Sequence, residues 1–385
     1  MSRQGVADPV RALADYRRGD FLFATQQRTL FARGVEREVP FVGDSAAVDS
    51  ALFAELDDAA TPLAVGVLPF DMTAGPAPRL VVPRELRVAG PAHERIRALP
   101  TREIGVPSRL LAVPEQAAHV DAVSRALAPL RDGALRKVVL ARALDVAFAA
   151  DVDPVSVLHN LIADNPDGFT FAAALPGDRT LVGASPELLV RRSGTRVVAH
   201  PHAGTAPRST DPDVDEANAR GLLASAKDKT EHALVVEAVV EALRPFCRTL
   251  DVPSTPSLAP TPAVWHLGTE ITGELADPDV SALALATALH PTPAVCGTPT
   301  DAARELVGEL EPFDRDYYAG AVGWVDAAGD GEWAVAIRCA EIAERSMRLY
   351  AGGGIVAASD PDAELAETSA KFTTLLQAMG VDLEA

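Results

Sequence analysis

The sequence predicts an α+β fold with large antiparallel sheets. Predicted strands follow one another through short turns over much of the chain, a pattern of hairpins rather than of βαβ crossovers. No segment repeats with a fixed period, and no GxGxxG or Walker A motif indicates a dinucleotide or a nucleoside triphosphate. Because no Gly/Ser-rich linker or charge block divides the chain, we expect one large folded unit.

The first third of the chain mixes strands and helices. Apolar residues in FLFAT and RTLFAR predict two short strands, and LAVGVLPF predicts a buried one. Ser45 to Ala59 is predicted as a helix. Apolar positions recur at helical spacing from Pro114 to Leu135, which indicates a second helix.

The pattern becomes more regular after residue 136. KVVLARALDVAF is predicted as a strand, and DPVSVLHNLIADN as a helix that Asp153 and Pro154 open. Glu216 to Phe246 is the longest helical pattern, and a last helix is predicted from Asp362 to Met379. Four successive strands, FTFAAAL, TLVGAS, ELLVRRS and TRVVAH, suggest an antiparallel meander. Later strands are AVWHLGTEI, YAGAVGWVDA, EWAVAIRCAEI and MRLYAGGGIV, with helices at SALALATAL and TDAARELVGEL.

Composition restricts the class of protein and its partners. The chain has 385 residues, of which 48% are apolar, and a formal net charge of −19. This charge argues against nucleic acid or an anionic membrane as partner, although a small anion could still bind at a local cation. Three widely spaced cysteines fit neither a disulfide framework nor a CxxC metal site. With no signal-like or membrane-spanning apolar run, we expect a cytoplasmic protein.

Lysine is scarce in this sequence, and the motifs around its few positions suggest a role in chemistry rather than in structure. Only four of the 35 basic residues are lysines: Lys137, Lys227, Lys229 and Lys371. An arginine stays protonated at any accessible pH, whereas a buried lysine can lose its proton and act as a base. The alternative is that these four lysines have no special role and remain by chance in a chain whose basic residues are mostly arginine.

Carboxylates on two predicted helices indicate a metal site. Glu364, Glu367 and Lys371 share one face of the last helix, and Glu231 lies at the margin of an apolar stripe on the long helix. If the helices meet, Glu231 and Glu367 offer hard oxygen ligands that suit Mg²⁺ beside an anionic substrate. Alternatively, the acids and lysine of the last helix form a solvated ion-pair ladder.

Two further residues suggest acid–base chemistry. Lys137 begins an apolar strand and Glu187 begins another, so a desolvated lysine could serve as base and a carboxyl group with a raised pKa as acid. The plainer readings are a snorkelling edge lysine and a turn glutamate. Arg338, placed mid-strand among apolar residues, suits a carboxylate clamp. His266 either contacts a ligand or is a core histidine whose hydrogen bonds are made within the protein.

Ten motifs, taken together, resemble the chorismate-utilising enzymes, and among them the isochorismate synthases of catecholate siderophore pathways. The match runs in order from about Val138 to the C-terminus, so we divide the chain into a variable part (1–113) and a chorismate-binding catalytic region (114–385) of one fold. The motifs are KVVLAR, GASPELL, HAGTAPR, AKDKTEH, TPAVWHLGTEITGEL, LHPTPAVCG, GELEPFDRDYYAGAVGW, AIRCAEI, AGGGIV and AELAETSAK.

The resemblance implies a fold and a role for each matching residue. The family fold is a single large unit in which two antiparallel sheets pack together with helices outside. Lys137 would activate water and Glu187 would protonate the departing hydroxyl. Glu231 and Glu367 would bind Mg²⁺, with Glu364 acting through water. Substrate contacts would come from Gly204, Thr205, His266, Ala294, Arg338, Gly352 and Lys371.

The resemblance also implies a reaction and its alternatives. We expect an isomerase that interconverts chorismate and isochorismate. Because Lys137 points to water rather than ammonia, no glutaminase subunit is expected, and we expect a monomer. One alternative is a salicylate synthase, which would go on to eliminate pyruvate. Another, from a different class, is a non-catalytic binding relative.

Overall fold

The computed structural model describes residues 8–41 and 45–381. Residues 1–7, on which part of the leader prediction falls, lie outside the described residues, as do 42–44 and 382–385. The helices are α1 (Pro9–Ala14), α2 (Ser45–Leu56), α3 (His93–Arg97), α4 (Gln116–Arg131), α5 (Pro154–Asp164), α6 (Pro212–Ala224), α7 (Ala226–Leu243), α8 (Ala282–Leu289), α9 (Thr300–Leu310) and α10 (Pro361–Met379).

The strands divide between a large sheet system and a small sheet. They are β1 (Phe21–Ala24), β2 (Thr29–Glu38), β3 (Leu63–Leu68), β4 (Arg79–Ala89), β5 (Pro107–Val113), β6 (Lys137–Phe148), β7 (Phe169–Ala174), β8 (Thr180–Ser185), β9 (Leu188–Ser193), β10 (Arg196–His200), β11 (His202–Pro207), β12 (Cys247–Asp251), β13 (Ser257–Pro260), β14 (Val264–Gly268), β15 (Ile271–Leu275), β16 (Gly297–Thr298), β17 (Ala321–Asp326), β18 (Gly331–Val335), β19 (Cys339–Ile342) and β20 (Ser346–Ile355).

The pairing order of the large system forms two halves that the β1–β2 hairpin joins. One half runs β12, β15, β10, β9, β18, β17, β3, β4, β2. The other runs β1, β7, β8, β19, β20, β6, with β5 and β16 both along the far side of β6. Each of these pairs is antiparallel, which confirms the predicted α+β fold with large antiparallel sheets. The small sheet holds β11, β14 and β13.

The main core lies where the two halves pack against each other. Its cluster of buried side chains takes Val65 and Trp333 from the first half and Leu140 and Phe171 from the second. A second apolar cluster lies beneath α5 and α10, which cover the β6–β20–β19–β8 face. Burial of apolar surface on both sides therefore holds the second half between the first half and the helices. Among the described residues, no helix is long and apolar enough to cross a membrane.

The predicted four-strand meander is wrong at its centre. β7 pairs with β8 and β9 pairs with β10, but β8 pairs onward with β19 and β9 with β18. Pro186 lies between β8 and β9 and has no N–H, and the N–H of Glu187 donates to the Ser185 hydroxyl at 3.2 Å. The chain therefore passes from one half of the system to the other instead of forming a hairpin.

The predicted long helix is two helices, α6 and α7. Ser225 between them has an extended backbone, with ψ of 117°, and its side chain accepts a hydrogen bond from the N–H of Asp228. This is the geometry of an N-cap residue, which begins a new helix. The break sets the direction of α7, and with it the position of Glu231.

Two predicted strands are also broken in the middle. AVWHLGTEI divides into β14 and β15 because Thr269 leaves the ladder, and its hydroxyl lies 2.7 Å from Nε2 of His232. EWAVAIRCAEI divides into β18 and β19 at Arg338, so the prediction of a mid-strand Arg338 is wrong. The residue has a φ of +51°, a left-handed conformation that does not fit within a strand.

A buried ion pair joins β6 to the segment before β16. Nε of Arg315 donates to Oε2 of Glu311 at 2.8 Å, and its terminal nitrogens donate to the carbonyls of Val139 and Val295, each at 2.7 Å. Oε1 of Glu311 accepts from the N–H of Ala141 at 2.7 Å. Both side chains are almost fully buried, so each charge depends on the other for compensation.

We expect Arg315→Met to lower the free energy of unfolding by about 3–5 kcal/mol, because it leaves a buried carboxylate and two carbonyls without their donor. Urea denaturation measures the change. Arg220→Met is the matched control, since Arg220 forms a surface pair with Glu216 at 70% and 67% exposure and should contribute less than about 1 kcal/mol. Equal effects of the two substitutions would contradict a central role for the buried pair.

Candidate active site

One cleft collects nearly all of the predicted site residues. It holds about 880 Å³ of space when the part open to solvent is included. Eleven of the twelve predicted residues line it: Lys137, Glu187, Gly204, Thr205, Glu231, His266, Ala294, Arg338, Gly352, Glu367 and Lys371. Glu364 lies immediately behind them and contacts Lys227, which also lines the cleft.

Lys137 is buried at the start of β6. Its side chain is 1% exposed, so the reading as a snorkelling edge lysine is wrong. The ammonium lies 2.9 Å from Oε1 of Glu231 on α7. β20 passes close to this pair, and the missing side chain of Gly354 makes room for it. A Cβ on Gly354 would stand 2.3 Å from Oε1 of Glu231. A larger residue at 354 would push Glu231 away from Lys137.

Glu187 is a buried carboxyl group with an unusual affinity for its proton. It stands between β8 and β9 and is 3% exposed. Burial raises the pKa of Glu187 to about 8, although the backbone N–H of His202 and the charge of Lys137 work in the opposite direction. The predicted rise in the pKa of this carboxyl group is present, so at neutral pH Glu187 can hold a proton that it can donate.

The carboxylates of α7 and α10 meet, and each contacts a different lysine. Lys371 donates to Oε1 of Glu367 at 2.6 Å and to the carbonyl of Gly352 at 2.7 Å. Glu364 turns instead towards α7, where its Oε1 lies 3.5 Å from the ammonium of Lys227. Glu367 and Lys371 do form an i,i+4 ion pair, but Glu364 is only 3% exposed and pairs with Lys227, so the reading of all three as a solvated ladder is wrong for Glu364.

The protonation of the two α10 carboxylates differs. Burial raises the pKa of Glu364, and the nearby carboxylates of Glu367 and Glu231 raise it further. Burial also favours the neutral form of Glu367, but Lys371 outweighs it and the pKa of Glu367 is lowered. Oε2 of Glu364 is buried without a hydrogen-bond partner. A cation near this oxygen would relieve the mutual repulsion of the three carboxylates.

The structure offers carboxylate oxygens as candidate metal ligands, but they do not form a complete metal-binding site. Within the described part of the chain, no group of three Asp, Glu, His or Cys side chains has a geometry ready to hold a metal ion. One oxygen of each candidate ligand, Glu231, Glu364 and Glu367, is already directed to a lysine. The unpartnered Glu364 oxygen and the all-carboxylate donor set nevertheless fit a hard cation such as Mg²⁺.

His266 lies in the middle of β14, the central strand of the small sheet, and is held as a neutral imidazole. Burial lowers the pKa of His266 to about 3, and the cations Arg338 and Lys371 contribute. Its Nδ1 lies 3.2 Å from the carbonyl of Gly204, which can only accept, so Nδ1 carries the proton and Nε2 is left as an acceptor. Gly204 lies at an irregularity within β11 and has a φ of +76°, at a point where Asp228 of α7 leaves little room for a side chain.

Arg338 faces the cleft from the break between β18 and β19. Within the described residues, no side chain or carbonyl accepts a hydrogen bond from its guanidinium. Burial lowers the pKa of Arg338 from its ordinary value, but an arginine of this kind remains a cation. An unpaired, largely buried guanidinium is suited to bind a carboxylate that enters the cleft.

The sequence reasoning missed several residues of the cleft. Tyr318 and Tyr350 stack with ring centroids 4.7 Å apart and form one wall. His202 also lines the cleft, and both of its ring nitrogens are buried without partners. Tyr318 and Lys227 lie within the motifs GELEPFDRDYYAGAVGW and AKDKTEH, but nothing in one sequence indicates that Tyr350 lies against Tyr318 or that Lys227 lies against Glu364.

Comparison with known proteins identifies the family. The family model described as chorismate binding enzyme matches residues 97–380. Isochorismate synthase DhbC of Bacillus subtilis is 49% identical over 96% of both chains, and the vibriobactin-specific isochorismate synthase of Vibrio cholerae is 40% identical over 95% of this chain and 93% of its own.

A solved structure agrees with these relatives. The crystal structure assigned to the 2,3-dihydroxybenzoate-specific isochorismate synthase DhbC of Bacillus anthracis superposes with a TM-score of 0.89 and 44% identity, covering 97% of this chain and 99% of that one. The resemblance carried by the sequence motifs is confirmed. The chain belongs to the chorismate binding enzyme family.

Proposed function

We propose that this protein is an isochorismate synthase, an isomerase that interconverts chorismate and isochorismate. One observation carries the proposal: a buried lysine, Lys137, and a carboxyl group with its pKa raised to about 8, Glu187, line the same cleft. A base and an acid are what a reaction needs when water is added at one carbon and hydroxide equivalent leaves another.

In the proposed reaction, both protons are moved by residues of this chain. Lys137 acts in its neutral form, after its ammonium has released a proton to solvent, and it removes a proton from water as the water oxygen bonds to a ring carbon of chorismate. Glu187 gives its proton to the ring hydroxyl as that carbon–oxygen bond breaks and the ring double bonds shift. One water enters and one leaves, so atoms balance and no oxidant or reductant is required.

Cationic groups of the cleft account for substrate binding in an acidic protein. Chorismate carries two carboxylates, and we assign their binding to Arg338 and Lys371, the first unpaired and the second bound to Glu367. We assign to Nε2 of His266 a hydrogen bond from a substrate hydroxyl, because Nδ1 is already used on the carbonyl of Gly204. Gly204, Thr205, Ala294 and Gly352 complete the walls.

We further propose that Mg²⁺ is the cofactor. Glu231 and Glu367 would hold it, with Glu364 acting through water, because these residues offer hard oxygen donors and an unpartnered buried oxygen. When bound, the ion would neutralise substrate carboxylate charge as a Lewis acid. The chain's own residues still supply the base, the acid and the orientation.

The proposal extends to the setting of the enzyme. The names of the relatives, which refer to vibriobactin and 2,3-dihydroxybenzoate, support a role in siderophore biosynthesis. A lysine base at position 137 favours water over ammonia as nucleophile, so we propose a cytoplasmic monomer that works without a glutaminase subunit. We keep the division into a variable part, 1–113, and a chorismate-binding region, 114–385.

Incubation of the purified protein with chorismate and Mg²⁺, with the products separated by chromatography, tests the function. We expect isochorismate without stoichiometric pyruvate, because Ala294 and Val295 offer no hydroxyl to assist proton transfer at the cleft wall. Salicylate with equimolar pyruvate would identify a salicylate synthase instead. An unchanged substrate that still binds the protein would identify a non-catalytic relative.

Lys137→Arg should be almost as inactive as Lys137→Ala, because arginine keeps the charge but cannot act as a base at neutral pH. We expect each to lower kcat by about 10²–10⁴-fold. Steady-state kinetics measures this, with Lys229→Arg on the exposed face of α7 as the control that should keep its activity. Substantial turnover by Lys137→Arg would exclude the base assignment.

The raised pKa of Glu187 should make stability depend on pH. The folded protein binds this proton more tightly than the unfolded chain, so the stabilisation is complete below the ordinary value of 4.5 and is lost as the pH rises to about 8. Glu187→Gln has no proton to lose, so we expect it to gain stability relative to wild type across that range. Urea unfolding at several pH values measures the difference.

A matched control separates this effect from general pH dependence. Glu305→Gln removes an exposed carboxyl from α9 and should show no such trend. A constant difference between wild type and Glu187→Gln would mean that Glu187 is ionised throughout and is not the proton donor.

A further inference from the structure

The three candidate metal ligands are neutralised by three of the four lysines of the chain. Lys137 contacts Glu231, Lys371 contacts Glu367 and Lys227 contacts Glu364. Such pairing is required, because a buried carboxylate without a counter-charge is costly. A divalent cation that enters the cluster brings a second set of positive charges to the same carboxylates.

The three contacts differ in strength and exposure. Lys137 and Lys371 lie 2.9 Å and 2.6 Å from their partners, and their side chains are 1% and 13% exposed. Lys227 lies 3.5 Å from Glu364, and its side chain is 41% exposed. Lys227 can therefore move into solvent at the smallest cost, whereas the other two are enclosed.

Glu364 has one lysine partner, and a hydrogen bond with the Ser359 side chain also favours its charged form. Oε1 faces Lys227, while Oε2 is buried, has no hydrogen-bond partner and lies 3.1 Å from where a Cβ on Gly353 would stand. A buried acceptor with no partner is rare in a folded protein and indicates a missing donor, water or ion. The carboxylate is thus compensated through one oxygen and open to a ligand through the other.

We infer that Lys227 is a tethered counter-cation, which compensates Glu364 while the metal is absent and yields to the metal when it binds. This inference rests on the proposed metal site. Lys227 is a positioning residue, since it acts on Glu364 and not on the substrate. Its charge holds the carboxylate cluster together without metal and weakens metal binding by repulsion.

The test uses the full chain without chorismate, so that catalysis plays no part. Mn²⁺ binding is measured by electron paramagnetic resonance and Mg²⁺ binding by titration calorimetry. Lys227→Met should bind either ion about tenfold more tightly than wild type, because no unit charge then competes with the dication for Glu364 or repels it. Lys227→Arg, which keeps the charge, should bind like wild type.

Lys229→Met is the matched control. It removes the same charge from the same helix two residues away, at an exposed position with no ion pair among the described residues. We expect less than a twofold change in metal affinity for this variant. The comparison separates a local effect on Glu364 from a change in net charge.

Thermal unfolding gives a second readout. Without metal, Lys227→Met should melt at a lower temperature than wild type, because Glu364 loses its counter-charge. Saturating Mg²⁺ should raise the melting temperature of Lys227→Met by more than that of wild type, because an ion that binds the folded state more tightly stabilises it more.

The outcomes distinguish the inference from the proposal beneath it. Equal or weaker metal binding by Lys227→Met, with wild type binding normally, would overturn the role of Lys227 and leave the metal site intact. A wild-type protein that binds neither ion at millimolar concentration would overturn the metal site and the inference together.

Discussion

The buried pair of Glu311 and Arg315 is the contact on which the cleft most depends. Arg315 donates to carbonyls of β6 and of the segment before β16, and Glu311 accepts from the N–H of Ala141. Lys137 lies at the start of β6 and Ala294 lies next to Val295, so the same pair positions the proposed base and one wall of the cleft. Because both charges are buried, loss of either would release these segments together.

Charge compensation decides the chemistry of the cleft. Three carboxylates are matched by three lysines, Asp228 adds a further acid to the cleft, and Glu187 avoids a buried charge by keeping its proton. Arg338 faces the cavity without an ion-pair partner among the described residues, although the charge of Glu367 lies near it. An acidic protein thus presents a cleft in which the charges nearly balance and Arg338 is free to bind a carboxylate of the substrate. The same compensation explains how the carboxylate cluster is stable in the absence of the proposed metal ion.

Local patterns in the sequence predicted most elements, because apolar periodicity and capping act over a few residues. The β6 strand, the Asp153 cap of α5 and the last helix are examples. The errors lie where tertiary contacts override local preference: Ser225 begins a new helix, Arg338 adopts a left-handed backbone, and the chain changes sheets at Pro186. Site residues came from chemistry and resemblance, whereas the contacts of Lys227 and Tyr350 depend on long-range packing that one sequence does not reveal.

Oxygen isotope labelling tests most directly whether water, activated in this cleft, is the nucleophile. The enzyme is incubated with chorismate and Mg²⁺ in ¹⁸O-enriched water, and isochorismate is collected early, before the reverse reaction mixes the label. We expect one solvent oxygen in the ring hydroxyl of each product molecule and no labelled product from Lys137→Arg. Isochorismate that carries only unlabelled oxygen would show that the hydroxyl is transferred within the substrate, and would contradict the role of Lys137 as the base that activates water.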